Sequence, residues 1–390
     1  MNRLLLWSIT ILMVLIMPSG LAAATEEVPL LSLEETMKSL DFSVLEEYKN
    51  NVDGEINFFM ERKPVKEWIT DFIKGDWEFD ISTAGESCFR FFFREVAANS
   101  SLLGKLLILS IVAALLVNLQ TAFSTGVARV SYLTCFLALA AIAIGTFKVV
   151  LAIGQQTIDN MVTFMMGMLP QMLILTAGMG NINSSVMLFP VLMTTSTALA
   201  NAINNIVFPL IIMSAILSMV NHMSDSLKVE KMAKFFTQMA QISLGFFFTI
   251  FVGLVTLRAI YASVLDKVAL RTTKFIADNA IPVVGKMFSD TIEVAAGYVL
   301  MLKQALGVLG VIIVLGIIAL PVLKIAAIFF IYKIAAAIAE PLGDSKTAGI
   351  LETMGSHLLL MMAAVTTVGL MFFIMIAIVA GLSNQMVLLR

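Results

Sequence analysis

Residues 274 to 293 form the segment whose residue types are best suited to chemistry. Its polar and helix-breaking members are Asp278, Asn279, Pro282, Gly285, Asp290 and Glu293. The segment is too polar to cross a bilayer alone, yet long apolar stretches flank it. Carboxylates in such a place are typical of an aqueous path, so one interpretation is a re-entrant or surface-lying gate. The alternative is an amphipathic connecting helix whose acids pair with Lys274 and Lys286.

The chain contains no motif that indicates catalysis. Gly104-Lys105 and Gly285-Lys286 are followed by Leu and Met, so a phosphate-binding loop with its Ser or Thr is absent. The two histidines, His222 and His357, have no cysteine cluster near them in the sequence, and no serine stands in a GxSxG or SxxK pattern. We predict that the protein is not an enzyme and has no catalytic, cofactor-binding or metal-binding residues.

The composition is that of a membrane protein. Hydrophobic residues make up 59% of the 390 residues and charged residues 13%, against about 45–50% and 25% in soluble domains. A helix needs about 20 mostly apolar residues to cross the hydrocarbon core of a bilayer. Six stretches fit this requirement clearly: Leu102 to Leu119, Tyr132 to Ile153, Ile242 to Leu257, Ala305 to Leu323, Ile325 to Ala339 and Leu358 to Leu382.

Further membrane segments are expected between Asp159 and Asp225. This stretch carries no formal charge and is interrupted by prolines and asparagines, so it predicts two or three broken segments that face protein or a water-filled cavity. We predict helix breaks at Pro170, Pro209 and Pro321. The expected fold class is all-α, a polytopic transmembrane helical bundle of about 7–8 spans.

The N-terminus predicts export. Residues 1–24 combine Arg3, an apolar run and a small-residue ending, which is typical of a signal peptide, here cleaved after Ala24. An uncleaved anchor is the alternative. Residues 25–100 then form an acidic extracytoplasmic segment with 17 acidic and 8 basic residues, and residues 101–390 form the membrane domain.

The acidic segment contains amphipathic helical patterns. Leu33 to Val52 has apolar residues at three- or four-residue spacing, and Trp68 to Ile73 forms a second stripe. The apolar side chains of such helices must be buried against other protein surfaces. They pack either on one another and the membrane domain, or on a partner protein.

An internal repeat is predicted within the membrane domain. Pro170 and Pro282 are 112 residues apart, and so are Pro209 and Pro321. This single offset divides the domain into repeats 130–241 and 242–353, followed by an extra final span at 357–382. Repeats of broken helices are a common ground plan of transporters.

The orientation follows only in part from the charges. An exported acidic segment makes the first span run inward and places Arg129 in the cytoplasm, as the positive-inside rule favours. The basic residues at 228–234 and those at 258–286 both favour the cytoplasm, although a single span separates them.

The sequence resembles the stage III sporulation protein AE family of endospore-forming Firmicutes. The resemblance rests on FIADNAIPVVGKMFSDTIE at 275–293, LKQALGVLGVIIVL from 302, KIAAAIAEPLGD at 333–344 and LMFFIMIAIVAG at 370–381. It extends over nearly the whole chain, although the first 100 residues match only in their layout.

The resemblance implies a place in the mother-cell-derived membrane around the forespore, with the acidic segment between the two membranes. It implies a role in a channel or secretion-like complex needed for late forespore gene expression. Its partners would be the lipid bilayer, the other stage III sporulation AA to AH proteins including the ATPase AA, and, less directly, stage II sporulation protein Q. Nucleic acid is not an expected partner.

Three functions therefore compete. The first is a permease-like subunit of the channel, in which the Pro282 segment and Glu340, Pro341 and Asp344 form part of a path or gate. The second is a free-standing secondary transporter. The third is a structural scaffold that holds the other members of the complex.

Overall fold

A computed structural model describes residues 42–55, 63–76, 81–123, 126–179, 181–223, 228–280, 284–342 and 344–382. The first four helices are α1 (Ser43–Glu55), α2 (Val65–Lys74), α3 (Ile81–Ala98) and α4 (Ser100–Phe123). The next are α5 (Gly126–Gly178), α6 (Ile182–Ala202), a π-helical turn (Ile203–Val207) and α7 (Phe208–Met223). The last are α8 (Glu230–Ala280), α9 (Val284–Ala339), a 3-10 turn (Glu340–Leu342) and α10 (Ser345–Gly381). The predicted all-α fold is confirmed, and the predicted signal peptide lies outside the described residues.

Six helical runs in the described part of the chain are long and apolar enough to cross a membrane. They are Ser100–Asn118, Leu133–Gly178, Ile182–His222, Glu230–Ala269, Val299–Leu342 and Ser345–Gly381. The number differs from the expected 7–8 because predicted neighbours merge. Residues 305–323 and 325–339 belong to the single helix α9, and the final helix begins at Ser345 rather than near residue 357.

The predicted helix breaks at Pro170 and Pro321 are wrong, because α5 and α9 continue through these residues. A proline removes one backbone hydrogen bond, and neighbouring helices stabilise the rest of the helix within a bundle. Pro209 acts differently. It is the second residue of α7, two residues after the end of the π-helical turn, so the hydrogen-bonding pattern changes there while the helical backbone continues.

The longest helices pack side by side over more than the thickness of a bilayer. In α9 and α10, the backbone of Gly355 lies beside Tyr332, that of Gly369 beside Ile318, and that of Gly307 beside Ala380. These contacts extend over about 37 Å of α9, at 1.5 Å per residue. With the 53 residues of α5 reaching about 80 Å, the bundle is longer than the ~30 Å hydrocarbon core.

The bundle has two distinct ends. We call the first the basic end, because Lys228, Lys231 and Lys234 lie there at the start of α8. His222 at the end of α7 approaches Gly349 of α10, so the turn before α10 lies at this end too. The α5–α6 turn marks the opposite end, which we call the far end, where Gly178 lies next to Val299 of α9.

Most of the basic residues at 258–286 lie on one helix. Arg258, Lys267 and Arg271 all lie on α8 and are exposed. Lys274 and Lys286 of the same group lie close to the α8–α9 turn at the far end, so the two basic groups reach opposite ends of the bundle and the conflict remains. The duplication with repeats at 130–241 and 242–353 stays a prediction.

The N-terminal helices are covered by the membrane domain. α1 packs on α5 and α9, and α2 packs on α9. The backbone of Gly167 in α5 approaches Val44 of α1 closely, and the ring of Phe164 meets that of Tyr48 edge-on at 5.4 Å. The described amphipathic faces of this segment therefore pack within the chain itself.

Hydrogen bonds join the first two helices to each other. A carboxylate oxygen of Glu46 accepts the backbone N–H of Val65 at 3.0 Å, which caps the start of α2. The ammonium of Lys49 is almost fully buried and donates to the carbonyl of Lys63 at 2.5 Å. α1 and α2 thus form one unit that covers part of α5 and α9.

Gly167→Leu is expected to detach this unit from α5. A Cβ at position 167 would lie 2.5 Å from a methyl group of Val44, whose β-branched side chain has little freedom to move. Limited proteolysis should then cleave the N-terminal segment at least several times faster than in the parent. Gly145→Leu on the same helix is the control, because no atom lies within 4 Å of its added Cβ. Equal cleavage rates in both variants would contradict the docking contact.

Candidate functional site: polar groups among the long helices

A polar surface interrupts the apolar helices midway between the two ends. Asp159 and Gln156 on α5 are exposed, as are Asn201 on α6 and Asn205 in the π-helical turn. The amide nitrogen of Asn204 donates to a carboxylate oxygen of Asp159 at 3.4 Å. We call these residues the Asp159 surface. Since an exposed carboxylate is costly against lipid chains, this surface requires water or protein beside it.

The π-helical turn gives the Asp159 surface unusual backbone geometry. The N–H of Phe208 donates to the carbonyl of Ile203, five residues earlier. Pro209 has no N–H to offer the carbonyl of Asn205 one turn back. Among the described residues, the buried side-chain oxygen of Asn204 has no hydrogen-bond partner. Single π-helical turns occur frequently at functional sites, and this one places the amide of Asn204 beside Asp159.

A buried carboxylate holds the far end together. Asp266 of α8 is 2% exposed. Its two carboxylate oxygens accept the backbone N–H groups of Asn183 and Ser184, each at 3.0 Å. The first N–H groups of a helix have no partner inside the helix, and Asn181 provides no side-chain cap for α6. Asp266 therefore caps α6 from more than 80 residues away.

A second polar cluster joins three helices near the basic end. The hydroxyl of Ser214 on α7 lies 2.8 Å from the carbonyl of Ala233 on α8 and 2.9 Å from Nε2 of His357 on α10. Nδ1 of His357 lies 2.8 Å from the carbonyl of Thr353, which can only accept, so Nδ1 carries the proton. This cluster satisfies buried polar groups and fixes the relative positions of α7, α8 and α10.

The predicted gate segment lies at the far end. Asp278 and Asn279 fall on the last turn of α8, and Gly285, Asp290 and Glu293 fall on the first turns of α9. Pro282 lies outside the described residues, and so do the side-chain surroundings of the other five. The gate interpretation and the paired-acid alternative therefore both stay predictions.

The second predicted group lies at the basic end. Glu340 and Pro341 are exposed in the 3-10 turn that follows α9. Asp344 is buried and caps α10, because its carboxylate accepts the backbone N–H of Thr347 at 3.1 Å and the hydroxyl of the same residue. The gate residue Glu293 lies on the first turns of α9, and the 47 positions from Glu293 to Glu340 correspond to about 70 Å of helix. The structure does not bring the two groups together.

Sequence reasoning recognised part of the site and missed the rest. It expected the asparagine-rich stretch between Asp159 and Asp225 to face protein or water, and the Asp159 surface lies in that stretch. It gave no role to Asp266, which belongs to no motif in the sequence. A signal was present, since one acid stood within an otherwise basic and apolar segment, but its partners are distant in the sequence.

The described residues form a polytopic α-helical membrane protein whose long helices carry polar groups at three heights. The family model for Stage III sporulation protein AE matches residues 64–383. Stage III sporulation protein AE of Bacillus subtilis (strain 168) is 34% identical over 358 residues, which cover 92% of this chain and 90% of that protein. No solved structure matches the chain. The chain belongs to the Stage III sporulation protein AE family.

Proposed function

We propose that this protein is a permease-like membrane subunit of a channel or secretion-like complex that connects the mother cell with the forespore. The observation that supports this function is the Asp159 surface, where an exposed carboxylate and several amides interrupt helices that are otherwise apolar. Hydrated polar side chains at this position are typical of a path for polar molecules. The bundle, which is longer than a bilayer, supports a path that extends beyond the membrane.

The proposed location is the mother-cell-derived membrane around the forespore. The basic end would face the mother-cell cytoplasm, because Lys228, Lys231 and Lys234 favour that side. The far end and the docked N-terminal segment would then lie between the two membranes. In this orientation the gate segment at 274–293 stands at the outer mouth of the path, and Glu340, Pro341 and Asp344 stand at the inner one.

The proposed partners are the other stage III sporulation AA to AH proteins, with stage II sporulation protein Q as an indirect partner. We propose that the chain is not an enzyme and has no cofactor, so the energy for transport would come from the ATPase AA. The turn at Glu340–Leu342 is exposed at the basic end and offers a contact surface for a cytoplasmic partner.

The double variant Asp159→Leu/Asn204→Leu tests this function. In an endospore-forming host that lacks its own copy, we expect normal amounts of membrane-inserted protein but a loss of late forespore-specific transcription. The physical reason is that two leucines remove the polar wall while they retain the helices. Thr249→Leu is the matched control, because its exposed hydroxyl bonds only to its own helix at 2.8 Å. Normal late transcription in the double variant would overturn the proposed path.

The gate segment provides a second arm of the same experiment. Asp278→Ala, Asp290→Ala and Glu293→Ala together should retain assembly and block late transcription if their carboxylates line the path. A scaffold would tolerate all five substitutions, and a free-standing transporter would show ion-coupled uptake after reconstitution alone. These outcomes separate the three candidate functions.

A further inference from the structure

The Asp159 surface carries one negative charge and no positive charge. Asp159 is the only charged residue of α5 between Lys148 and Gly178. α6, the π-helical turn and α7, which form the other side of the surface, contain no Asp, Glu, Lys or Arg. The other polar side chains of the surface are amides, which have no net charge.

On the helices that border this surface, the basic side chains stand far from Asp159. Lys148 lies eleven residues away on α5, or ~16 Å, whereas charges are largely screened beyond about 8 Å at physiological salt. α8 packs on α6 and α7, and α10 packs on α5 and α7. The stretches 235–257 of α8 and 353–382 of α10 contain no charged residue, so they leave the charge of Asp159 in place.

The lysines of α9 lie behind α5. The backbone of Gly310 in α9 lies next to Met168 of α5. At 100° per residue, Met168 is about 180° around the helix from Asp159, which places α9 with Lys303 and Lys324 on the opposite side of α5. α1 packs on α5 as well, and its four acidic residues and one lysine give it a net negative charge.

The π-helical turn adds two backbone oxygens to the carboxylate. In an α-helix the carbonyl of Asn204 would accept the N–H of Phe208, but this N–H donates to Ile203. The carbonyl of Asn205 would accept from Pro209, which has no N–H. Both carbonyls therefore lack their usual α-helical donor, and the carbonyls of interrupted helices are typical cation ligands within membranes.

The charge of Asp159 is only weakly compensated by its hydrogen bond. The amide nitrogen of Asn204 lies 3.4 Å from a carboxylate oxygen, whereas charge-assisted hydrogen bonds are about 2.7–2.9 Å long. The side chain of Asp159 is also exposed. Most of its field therefore extends into the space beside the surface.

We infer that the Asp159 surface selects small cations and excludes anions, so that the cargo of the proposed path is a small cation. Low-dielectric walls on either side of a carboxylate focus its field and raise the local concentration of ions of opposite charge. The two backbone carbonyls offer further oxygen ligands to a cation. This inference rests on the proposed function, because it assigns a cargo to the same surface.

Charged thiol reagents test the inferred selection in membranes that contain the full chain. In a background with Cys88 and Cys135 replaced by Ser, Asn201→Cys or Asn205→Cys places a thiol near Asp159. Its reaction rates are measured with a trimethylammonium and a sulfonate methanethiosulfonate of similar size, each divided by the rate with a free thiol in solution. The cationic reagent should react roughly 10-fold faster, as expected for one unit charge several ångströms away in a hydrated groove.

Substitutions of Asp159 identify the source of this preference. Asp159→Asn should bring the normalised ratio to about 1, Asp159→Lys should reverse it, and Asp159→Glu should retain it. Glu352→Gln is the matched control, because it removes an equal charge from the exposed pair with Lys333 near the basic end. This control should leave the ratio unchanged.

The possible outcomes separate the inference from the proposed function. Equal normalised rates for the two reagents, or a preference that Asp159→Asn leaves intact, would overturn the cation selection while the hydrated path remains. Absence of reaction with either reagent would reveal a dry surface and overturn the path together with the inference. Thr249→Cys, on the uncharged stretch of α8 and among exposed apolar side chains, should react with neither reagent. A rate there equal to that of Asn201→Cys would contradict a path confined to the Asp159 surface.

Discussion

Asp266→Ala is expected to lower the free energy of unfolding by about 3–5 kcal/mol, because two charge-assisted hydrogen bonds to a helix N-terminus are lost. The N–H groups of Asn183 and Ser184 would be left without partners at a site where Asp266 is almost fully buried. Unfolding in mixed detergent micelles measures the change. The far end should open first, with faster proteolysis at the α5–α6 turn.

Two variants isolate the cause of this loss. Asp266→Asn retains one accepting oxygen, so its effect should be about half as large. Glu352→Ala removes an equal charge from an exposed pair with Lys333, with an N–O distance of 3.2 Å. Such surface pairs contribute only about 0–1 kcal/mol. If Glu352→Ala were as damaging as Asp266→Ala, the capping role would be wrong.

Gly369→Leu should destabilise the contact between α9 and α10 by about 3 kcal/mol through overpacking. A Cβ at position 369 would lie 2.3 Å from Cδ1 and 2.8 Å from Cγ1 of Ile318, so the isoleucine side chain would have to shift. The same unfolding measurement applies, and the midpoint of the cooperative transition should shift to a lower denaturant concentration.

Gly245→Leu is the control for this substitution. No atom lies within 4 Å of an added Cβ there, and the exchange of Gly for Leu within a helix gains roughly 0.8 kcal/mol in helix propensity. The two variants should therefore change stability in opposite directions. A stable Gly369→Leu protein would show that α9 and α10 are not packed as closely as described.

The sequence allowed the fold class and single helices to be predicted because apolar length depends on local composition. Residues 102–119 fall within α4, and residues 358–382 fall within α10 except for the last one. The boundaries of helices inside the bundle were harder to predict from the sequence. Charged residues such as Arg258 suggested a loop, whereas in a bundle longer than the bilayer an exposed charge can remain on a helix.

The candidate site was predictable only where composition alone pointed to it. The asparagines near 201–205 were recognisable because amides are rare in an apolar run. The capping of α6 by Asp266 depends on residues 82 and 83 positions apart, and no local pattern in one sequence indicates such a contact. Pro170 and Pro321 were misread because the neighbouring helices that stabilise a proline-containing helix cannot be seen in its own sequence.

The docking of α1 on α5 and α9 has a consequence for how the protein is made. The ribosome synthesises α1 about 120 residues before Phe164 and about 240 residues before the start of α9. At about 5–20 residues per second, the first helix waits roughly 10–50 seconds for its complete binding surface. The apolar stripe of α1 therefore has no complete partner surface during this interval.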